Sequence, residues 1–324
     1  MEFVHLAIGV LAFAGGAALL LFFVVLLCPS RRKIAPHTDE SIAVAVKTYP
    51  IPQSIEEMYL DTIKKALTRV LVVMRYERHT IDPAVEPIRS IYALFKRVAA
   101  AKGIELVRVI PSDPLEYLES GHAATNRMED AETMIGTRQL DNLQFCIADA
   151  VRRDVPGDVL EAGVWRGGAS IFMRAVLKVH DKERRVWVVD SFEGLPQPDS
   201  GYDSFGWRAG DMAVSLDEVK ANFARYGLLD DNVRFLKGFF SQTLPNAPIG
   251  NLAVLRVDAD LYESTMDVLE SLYPKLSVGG YAIFDDYKNL PDCRKAIDEY
   301  RRRHDITEEI MDIDSRAVFW KRLN

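Results

Sequence analysis

Short apolar runs alternate with amphipathic stretches through the second half of the chain. The apolar runs lie at residues 158–163, 185–190, 232–238, 252–258 and 281–286, and two further strand candidates lie at 306–314 and 317–323. Strands that alternate with helices of about 10–15 residues form crossover units. The runs are almost uninterrupted, as is typical of strands covered by helices on both faces. The pattern therefore predicts a doubly wound, mostly parallel, seven-stranded α/β sheet over residues 131–324, closed by an antiparallel pair.

The pattern nearer the N-terminus is helical. Residues 54–74 show helical spacing behind Ser54, a residue type that caps helices, and residues 84–102 give a second helix. Residues 134–157 give a third, which stops at a Pro-Gly pair. We therefore predict an N-terminal helical annex over residues 56–130, preceded by a proline-containing linker over residues 31–55.

Residues 3–28 form a long apolar run without a formally charged side chain, and Arg31, Arg32 and Lys33 follow it. A helix of about 20 apolar residues spans a bilayer. Because the basic residues follow the run, we predict a retained single-pass anchor over residues 1–30, with residues 31–324 in the cytoplasm. A cleaved signal peptide is the alternative.

Composition narrows the classes of partner. The chain has 324 residues, is 48% hydrophobic and carries a net charge of −7, which fits one large domain with a small annex. The acidic balance argues against nucleic acid as a partner. Cys28, Cys146 and Cys293 lie far apart, so they predict neither a disulfide framework nor a metal cluster, and they favour a reducing compartment.

A carboxylate and several glycines mark the end of the first strand of this sheet. Glu161 lies in its last part, and Gly163, Gly167 and Gly168 follow. Ligands of open parallel sheets bind beyond the carboxyl ends of the strands, and glycines allow a ligand to approach the backbone closely. The segment is neither GxGxxG nor a Walker motif, so it does not predict a phosphate cradle. A plain strand–helix turn is the alternative.

The next strand ends on Asp190. An acid at this point accepts hydrogen bonds from both hydroxyls of a ribose in dinucleotide folds. Ribose recognition without a phosphate cradle indicates a nucleoside cofactor without pyrophosphate, of which S-adenosylmethionine is the common one. Its cationic groups would favour a nearby carboxylate such as Glu161. A helix cap is the alternative for Asp190.

Four more acids follow later strands: Asp258 and Asp260 after one, and Asp285 and Asp286 after the next. A crossover brings both strand ends to the same edge of the sheet, where so many carboxylates repel one another unless a cation lies between them. Oxygen ligands favour a hard divalent cation, Mg²⁺ first. Such a cation would orient vicinal hydroxyls beside a methyl donor, with Asp258 as ligand and proton acceptor. Helix caps or surface acids are the alternative for Asp260 and Asp286.

The segments TMIGTRQLDNLQFCIAD, VPGDVLEAGVWRGGASIF, VWVVDSFEGLP, NFARYGLLDDNVRFLKGFF, LRVDADLYESTMDVLESLYPKLSVGGYAIFDDY and IDSRAVFWKR occur in this order. They resemble the macrocin O-methyltransferase family over roughly residues 130–322. Residues 57–71 are similar to the family's N-terminal helix, whereas residues 72–127 do not match it. The family comprises metal-dependent, Rossmann-like class I methyltransferases that use S-adenosylmethionine to methylate sugar hydroxyls of macrolide and aminocoumarin glycosides.

The resemblance implies a set of site residues. It implies cofactor contacts at Met134, Glu161, Gly163, Asp190, Ser191, Phe192, Gly194, Gly238 and Phe239. It implies metal binding at Asp258, Asp285 and Asp286, with Asp258 as the catalytic base. For Phe239 a core aromatic is the alternative.

These patterns together predict an S-adenosylmethionine- and divalent-metal-dependent O-methyltransferase of a sugar hydroxyl. The apolar run at residues 3–28 suggests a membrane partner and a glycolipid or lipid-linked glycan as acceptor, beside simpler glycosides. A catechol-like aromatic diol as acceptor and a non-catalytic, membrane-tethered cofactor-binding module are the alternatives. Residues 199–215 predict a lid, or else a surface loop. A homo-oligomer is compatible with the sequence.

Overall fold

The computed structural model describes residues 54–68, 131–180, 183–199 and 205–324, and the backbone of four short strands nearer the N-terminus. These strands are β1 (Ala7–Gly9), β2 (Phe22–Val24), β3 (Met74–Arg78) and β4 (Val107–Pro111). The chain divides into two compact units, Met1–Ile51 and Pro52–Asn324.

In the first unit, β1 and β2 pair antiparallel inside the run where an anchor was predicted. The rest of the predicted anchor and most of the predicted linker lie outside the described residues. Among the helices that are described, none combines the length and the apolar character needed to cross a membrane.

The second unit contains a seven-stranded sheet with the order β10-β11-β9-β8-β5-β6-β7. Its strands are β5 (Asp158–Ala162), β6 (Val186–Asp190), β7 (Val233–Lys237), β8 (Leu252–Val257), β9 (Leu276–Phe284), β10 (Met311–Asp312) and β11 (Val318–Lys321). The pairs from β9 through β8, β5 and β6 to β7 are parallel, and β11 pairs antiparallel with both β9 and β10. The closing antiparallel pair is confirmed, but the expectation of a mostly parallel sheet is corrected to a mixed one.

Strand order reverses beside β5. The chain runs from β5 outward to β6 and β7, and then returns to place β8 on the other side of β5. In open α/β sheets the crevice at such a reversal, beyond the carboxyl ends of the strands, is where ligands bind. The ends of β5 and β8 therefore flank the expected binding crevice.

Helices cover both faces of the sheet. They are α1 (Ile55–Leu67), α2 (Thr137–Arg152), α3 (Gly168–His180), α4 (Leu216–Arg225), α5 (Phe240–Thr243), α6 (Tyr262–Leu272) and α7 (Pro291–Arg303). The predicted cap of α1 is confirmed, because the Glu57 amide donates to Ser54 Oγ at 3.1 Å. Alternate residues of one strand reach opposite cores: Val159 packs with α2 and α3, and Leu160 packs with α6 and α7.

The region expected to form a helical annex is not wholly helical. Strands β3 and β4 pair antiparallel within it, which the sequence pattern did not predict. The helix predicted at residues 84–102 lies outside the described residues.

Asp149 on α2 ties that helix to the sheet and gives a pH-dependent prediction. Its carboxylate accepts hydrogen bonds from Arg152 Nη2 at 2.5 Å, Arg153 Nε at 2.6 Å and the Tyr281 hydroxyl at 2.6 Å. Burial opposes the charged form, but these donors outweigh it and lower the pKa of Asp149 to about 2. Because the folded-state pKa lies below the unfolded value of about 3.9, the charged form stabilises the fold above that value. This contribution disappears as pH falls through about 2.

We expect Asp149→Asn to lower the free energy of unfolding at pH 7, and we expect its difference from wild type to shrink as pH falls toward 2. Urea unfolding at a series of pH values measures this difference. Asp154→Asn is the control, because Asp154 is exposed on the same segment. A difference for Asp149→Asn that stays constant between pH 5 and pH 2 would contradict the assigned hydrogen bonds.

Candidate functional site

A cavity of about 540 Å³ lies beyond the carboxyl ends of β5, β6 and β8. Segments that follow these strands form much of its wall, and the start of α6 contributes to the rest. Six of the nine predicted cofactor residues line it: Met134, Gly163, Asp190, Ser191, Gly194 and Phe239. The predicted base Asp258 lines the same cavity.

The glycine turn after β5 is held against its neighbours by backbone hydrogen bonds. The Gly163 amide donates to the Val189 carbonyl at 2.9 Å, and the Asp258 amide donates to the Ala162 carbonyl at 2.9 Å. The turns after β5 and β8 therefore lie in contact, and the backbone of Gly163 faces the cavity without a side chain.

Asp190 both shapes this turn and faces the cavity. Its Oδ2 accepts from the Val164 amide at 2.8 Å, and its Oδ1 accepts from the Phe192 amide at 2.7 Å. Ser191 Oγ lies 3.4 Å from Oδ1, but its one proton is donated to the Gly194 carbonyl at 2.6 Å, so each carboxylate oxygen can accept a second hydrogen bond. Asp190 therefore retains the capacity to accept the two hydroxyls of a ribose.

The remaining three predicted cofactor residues lie outside the cavity wall. Phe192 is buried with its ring centroid 6.5 Å from that of Phe235. The Gly238 amide donates to the Asp190 carbonyl at 2.9 Å, so it supports the strand end. Glu161 is only 2% exposed and binds protein groups.

Three carboxylates converge beside the cavity, and two of them, Asp258 and Asp260, line it. One oxygen each from Asp258, Asp260 and Asp286 lies within 4.8 Å of the other two. Asp260 adopts a left-handed φ of 57° in the turn after β8, and Leu261 donates to Ala259 across that turn at 2.6 Å. We call these three residues the acidic trio.

The acidic trio fits a divalent cation on its own chemistry. Asp286 is 1% exposed; its Oδ1 accepts hydrogen bonds from Arg316 Nη2 and Asn289 Nδ2, each at 3.0 Å, and its Oδ2 is buried without a hydrogen-bond partner among the described residues. Burial raises the pKa of Asp260 well above its usual value, and the charges of Asp286 and Asp258 raise it further. Burial likewise raises the pKa of Asp258 to about 6. Three hard oxygen donors that repel one another are the ligand type that Mg²⁺ prefers.

Asp285, the other predicted metal ligand, faces a different partner. Its Oδ1 accepts from Arg256 Nη2 at 2.5 Å, and Arg256 Nη1 also binds Glu161 at 2.6 Å and Asp258 at 2.9 Å. The structure therefore brings Asp258 and Asp286 together as predicted, places Asp285 beside the guanidinium, and puts Asp260 in the trio.

Sequence reasoning had missed Arg256 altogether. Its signal was present, because one charged residue interrupts LAVLRV, a strand whose six residues are all buried. A buried guanidinium requires carboxylate partners, and the strand ends supply them. Trp165, which lines the cavity, was also missed, and nothing in the sequence marked it.

The sheet order, the glycine turn and the acid-lined cavity are those of a Rossmann-like class I methyltransferase. The chain belongs to the family Macrocin-O-methyltransferase (TylF), whose model matches residues 56–322. It is therefore an S-adenosylmethionine-dependent O-methyltransferase, and the alternative of a non-catalytic module is wrong.

Individual relatives of the chain are also named as O-methyltransferases. The chain is 52% identical over 205 residues to demethyldecarbamoylnovobiocin O-methyltransferase of Streptomyces niveus, covering 60% of this chain and 76% of that protein. It is 54% identical over 200 residues to 8-demethyl-8-(2,3-dimethoxy-alpha-L-rhamnosyl)-tetracenomycin-C 4'-O-methyltransferase of Streptomyces olivaceus, covering 59% and 76%. The solved O-methyltransferase NovP superposes with a TM-score of 0.65 at 41% identity, covering 83% of this chain and 100% of NovP.

Proposed function

We propose that this enzyme methylates a sugar hydroxyl of a glycoside and that a hard divalent cation, Mg²⁺ first, is required. One observation carries the proposal. Asp258 lines the cavity that Gly163 and Asp190 also line, and it belongs to the acidic trio. The expected cofactor end and the expected cation end therefore share one space.

The names of relatives support a sugar acceptor. The Streptomyces olivaceus relative is named for O-methylation at the 4' position of a molecule that carries a dimethoxyrhamnosyl group. Vicinal hydroxyls of a sugar are also the oxygen pair that a divalent cation binds well.

The protein groups have separate roles in this proposal. Asp190 accepts hydrogen bonds from the ribose hydroxyls, and the bare backbone at Gly163 lets the cofactor approach closely. S-adenosylmethionine supplies the methyl group on a cationic sulfur. Asp258 would take the proton from the acceptor hydroxyl as the acceptor oxygen bonds to the methyl carbon and the carbon–sulfur bond breaks.

The acidic trio would hold the cation. A cation held there would lower the pKa of an acceptor hydroxyl and would fix its orientation. Asp286 contributes the oxygen that lacks a protein donor, and Asp260 reaches the site because its turn adopts the left-handed conformation.

Methyl transfer from labelled S-adenosylmethionine tests the proposal. The acceptors are a rhamnoside, the corresponding deoxysugar that lacks one of two neighbouring hydroxyls, and a catechol, each with Mg²⁺ and after chelation. We expect transfer to the rhamnoside only, lost on chelation and restored by Mg²⁺. Transfer that is unaffected by chelation, or that prefers the catechol, would contradict the proposal.

A pair of substitutions distinguishes the two acids that compete for the third ligand position. We expect Asp260→Asn to weaken Mg²⁺ binding by about tenfold or more, because a charged ligand oxygen is lost. We expect Asp285→Asn to change it less and to lower the melting temperature instead, because Asp285 pairs with Arg256. Calorimetric titration measures the Mg²⁺ affinity of both variants, and thermal unfolding measures their melting temperatures. A larger loss of Mg²⁺ affinity for Asp285→Asn would favour the set Asp258, Asp285 and Asp286.

We further propose that residues 3–28 associate with a membrane, that the catalytic unit faces the cytoplasm, and that the acceptor is a glycolipid or lipid-linked glycan. The apolar run and its basic flank support this. Residues 200–204 of the predicted lid lie outside the described residues, and Met212, in its described part, lines the cavity. Full-length enzyme in vesicles should turn over a lipid-linked glycoside faster than its soluble headgroup. Equal rates would argue against the proposal.

A further inference from the structure

Arg256 is a buried cation at the centre of the site. It lies in β8, where all six residues are buried, and its side chain is 2% exposed. A guanidinium loses its hydration at such a position, so it is tolerated only when hydrogen-bonded carboxylates replace the water.

The guanidinium of Arg256 joins acids from three neighbouring strands. Nη1 donates to Glu161 Oε1 of β5 at 2.6 Å and to Asp258 Oδ2 after β8 at 2.9 Å, and Nη2 donates to Asp285 Oδ1 after β9 at 2.5 Å. Ser170 Oγ donates to the other oxygen of Glu161. Glu161 and Asp285 are thereby fixed from behind the cavity.

The Asp258 carboxylate lies between negatively charged groups on one side and a positively charged group on the other. On one side lie Asp260 and Asp286, whose negative charges repel it, and Arg316 Nη2 offsets part of that repulsion by binding Asp286 Oδ1 at 3.0 Å. On the other side Arg256 attracts its Oδ2. Its second oxygen accepts no hydrogen bond from the part of the chain that the structure describes, and the residue lines the cavity. One oxygen is held while the other remains available.

We infer that Arg256 is a positioning residue for methyl transfer: it fixes one oxygen of the Asp258 carboxylate so that the other oxygen stays available for proton removal. The inference rests on the proposed function, since it assigns Asp258 the role of base. A planar guanidinium donates on two edges at once, whereas a lysine ammonium is a point charge that cannot span these acids.

Arg174 on α3 provides a matched control. It is a second buried arginine, with a side chain 4% exposed, and it binds Asp230 through Nε at 2.9 Å and Nη2 at 2.8 Å. Neither residue lines the cavity. Loss of either buried guanidinium lowers stability, so only effects beyond those of the Arg174 variants count for the inference.

The test uses the full chain with Arg256→Lys, Arg256→Gln and the same two substitutions at Arg174. We expect Arg256→Lys to lower kcat by about tenfold or more with little change in the KM for S-adenosylmethionine, because a misplaced base slows only the chemical step. We expect Arg256→Gln to tighten Mg²⁺ binding by about tenfold or more, because a positive charge beside Asp258 is gone. The Arg174 variants should change neither quantity beyond twofold.

A merely structural role would lower kcat and Mg²⁺ affinity together, in proportion to the folded fraction measured by circular dichroism. That result, or an Arg256→Lys variant with wild-type kcat, would overturn the inference. If Arg256→Gln does not fold, Arg256→Lys decides by its kcat and KM. Wild-type enzyme without Mg²⁺ binding or glycoside methylation would instead contradict the proposed function.

Discussion

Asp258→Asn is expected to reduce kcat by about a thousandfold or more while leaving the Kd for S-adenosylmethionine within about threefold of wild type. The substitution keeps the size of the side chain and one oxygen for Arg256, but it removes a basic group and a charged ligand of the acidic trio. Single-turnover transfer of labelled methyl measures the chemical step, and calorimetry measures cofactor affinity.

Asp230→Asn is the control for this experiment. Asp230 also pairs with a buried arginine, and its side chain is 33% exposed against 27% for Asp258, yet it lies away from the cavity. We expect Asp230→Asn to lower the melting temperature with kcat unchanged. Turnover by Asp258→Asn at more than about a tenth of the wild-type rate would remove Asp258 from the role of base.

The arrangement of the sheet follows from features that the sequence displays directly. A strand covered on both faces is an apolar run, and a crossover helix has its own period, so β5 through β9 and their helices were predictable. The change to antiparallel pairing at β11 was also predictable, because two strand candidates joined by a short connection follow α7 in the sequence. The pairing of β3 with β4 was not predictable, because MRYER is not an apolar run and the two strands are far apart in sequence.

The acids of the site were predictable as a group but not in their individual roles. Parallel strands bring their carboxyl ends to one edge, which places Asp190, Asp258 and Asp286 near one cavity. Which neighbour faces the cation depends on side-chain direction. Asp285 turns toward Arg256, and Asp260 reaches the trio only through a left-handed turn. Neither event is encoded in residue spacing, because each depends on contacts between separate strands.

Gly163→Ala is expected to lower the free energy of unfolding by about 3 kcal/mol or more and to weaken cofactor binding by about tenfold or more. Gly163 has φ of 85°, and a methyl group added there would lie 1.7 Å from the carbonyl oxygen of Asp258. The turns after β5 and β8 would have to separate, which displaces the cofactor turn and the base together.

Gly210→Ala separates backbone strain from the steric clash. Gly210 also has φ of 85°, but an added methyl group would meet nothing within 4 Å. We expect it to lower the free energy of unfolding by only about 1 kcal/mol, through the unfavourable φ alone, with cofactor affinity unchanged. Urea unfolding and calorimetric titration with S-adenosylmethionine measure both variants. Equal losses of unfolding free energy and of cofactor affinity for the two substitutions would show that the turns after β5 and β8 can separate at little cost. The position of Asp258 would then not depend on Gly163.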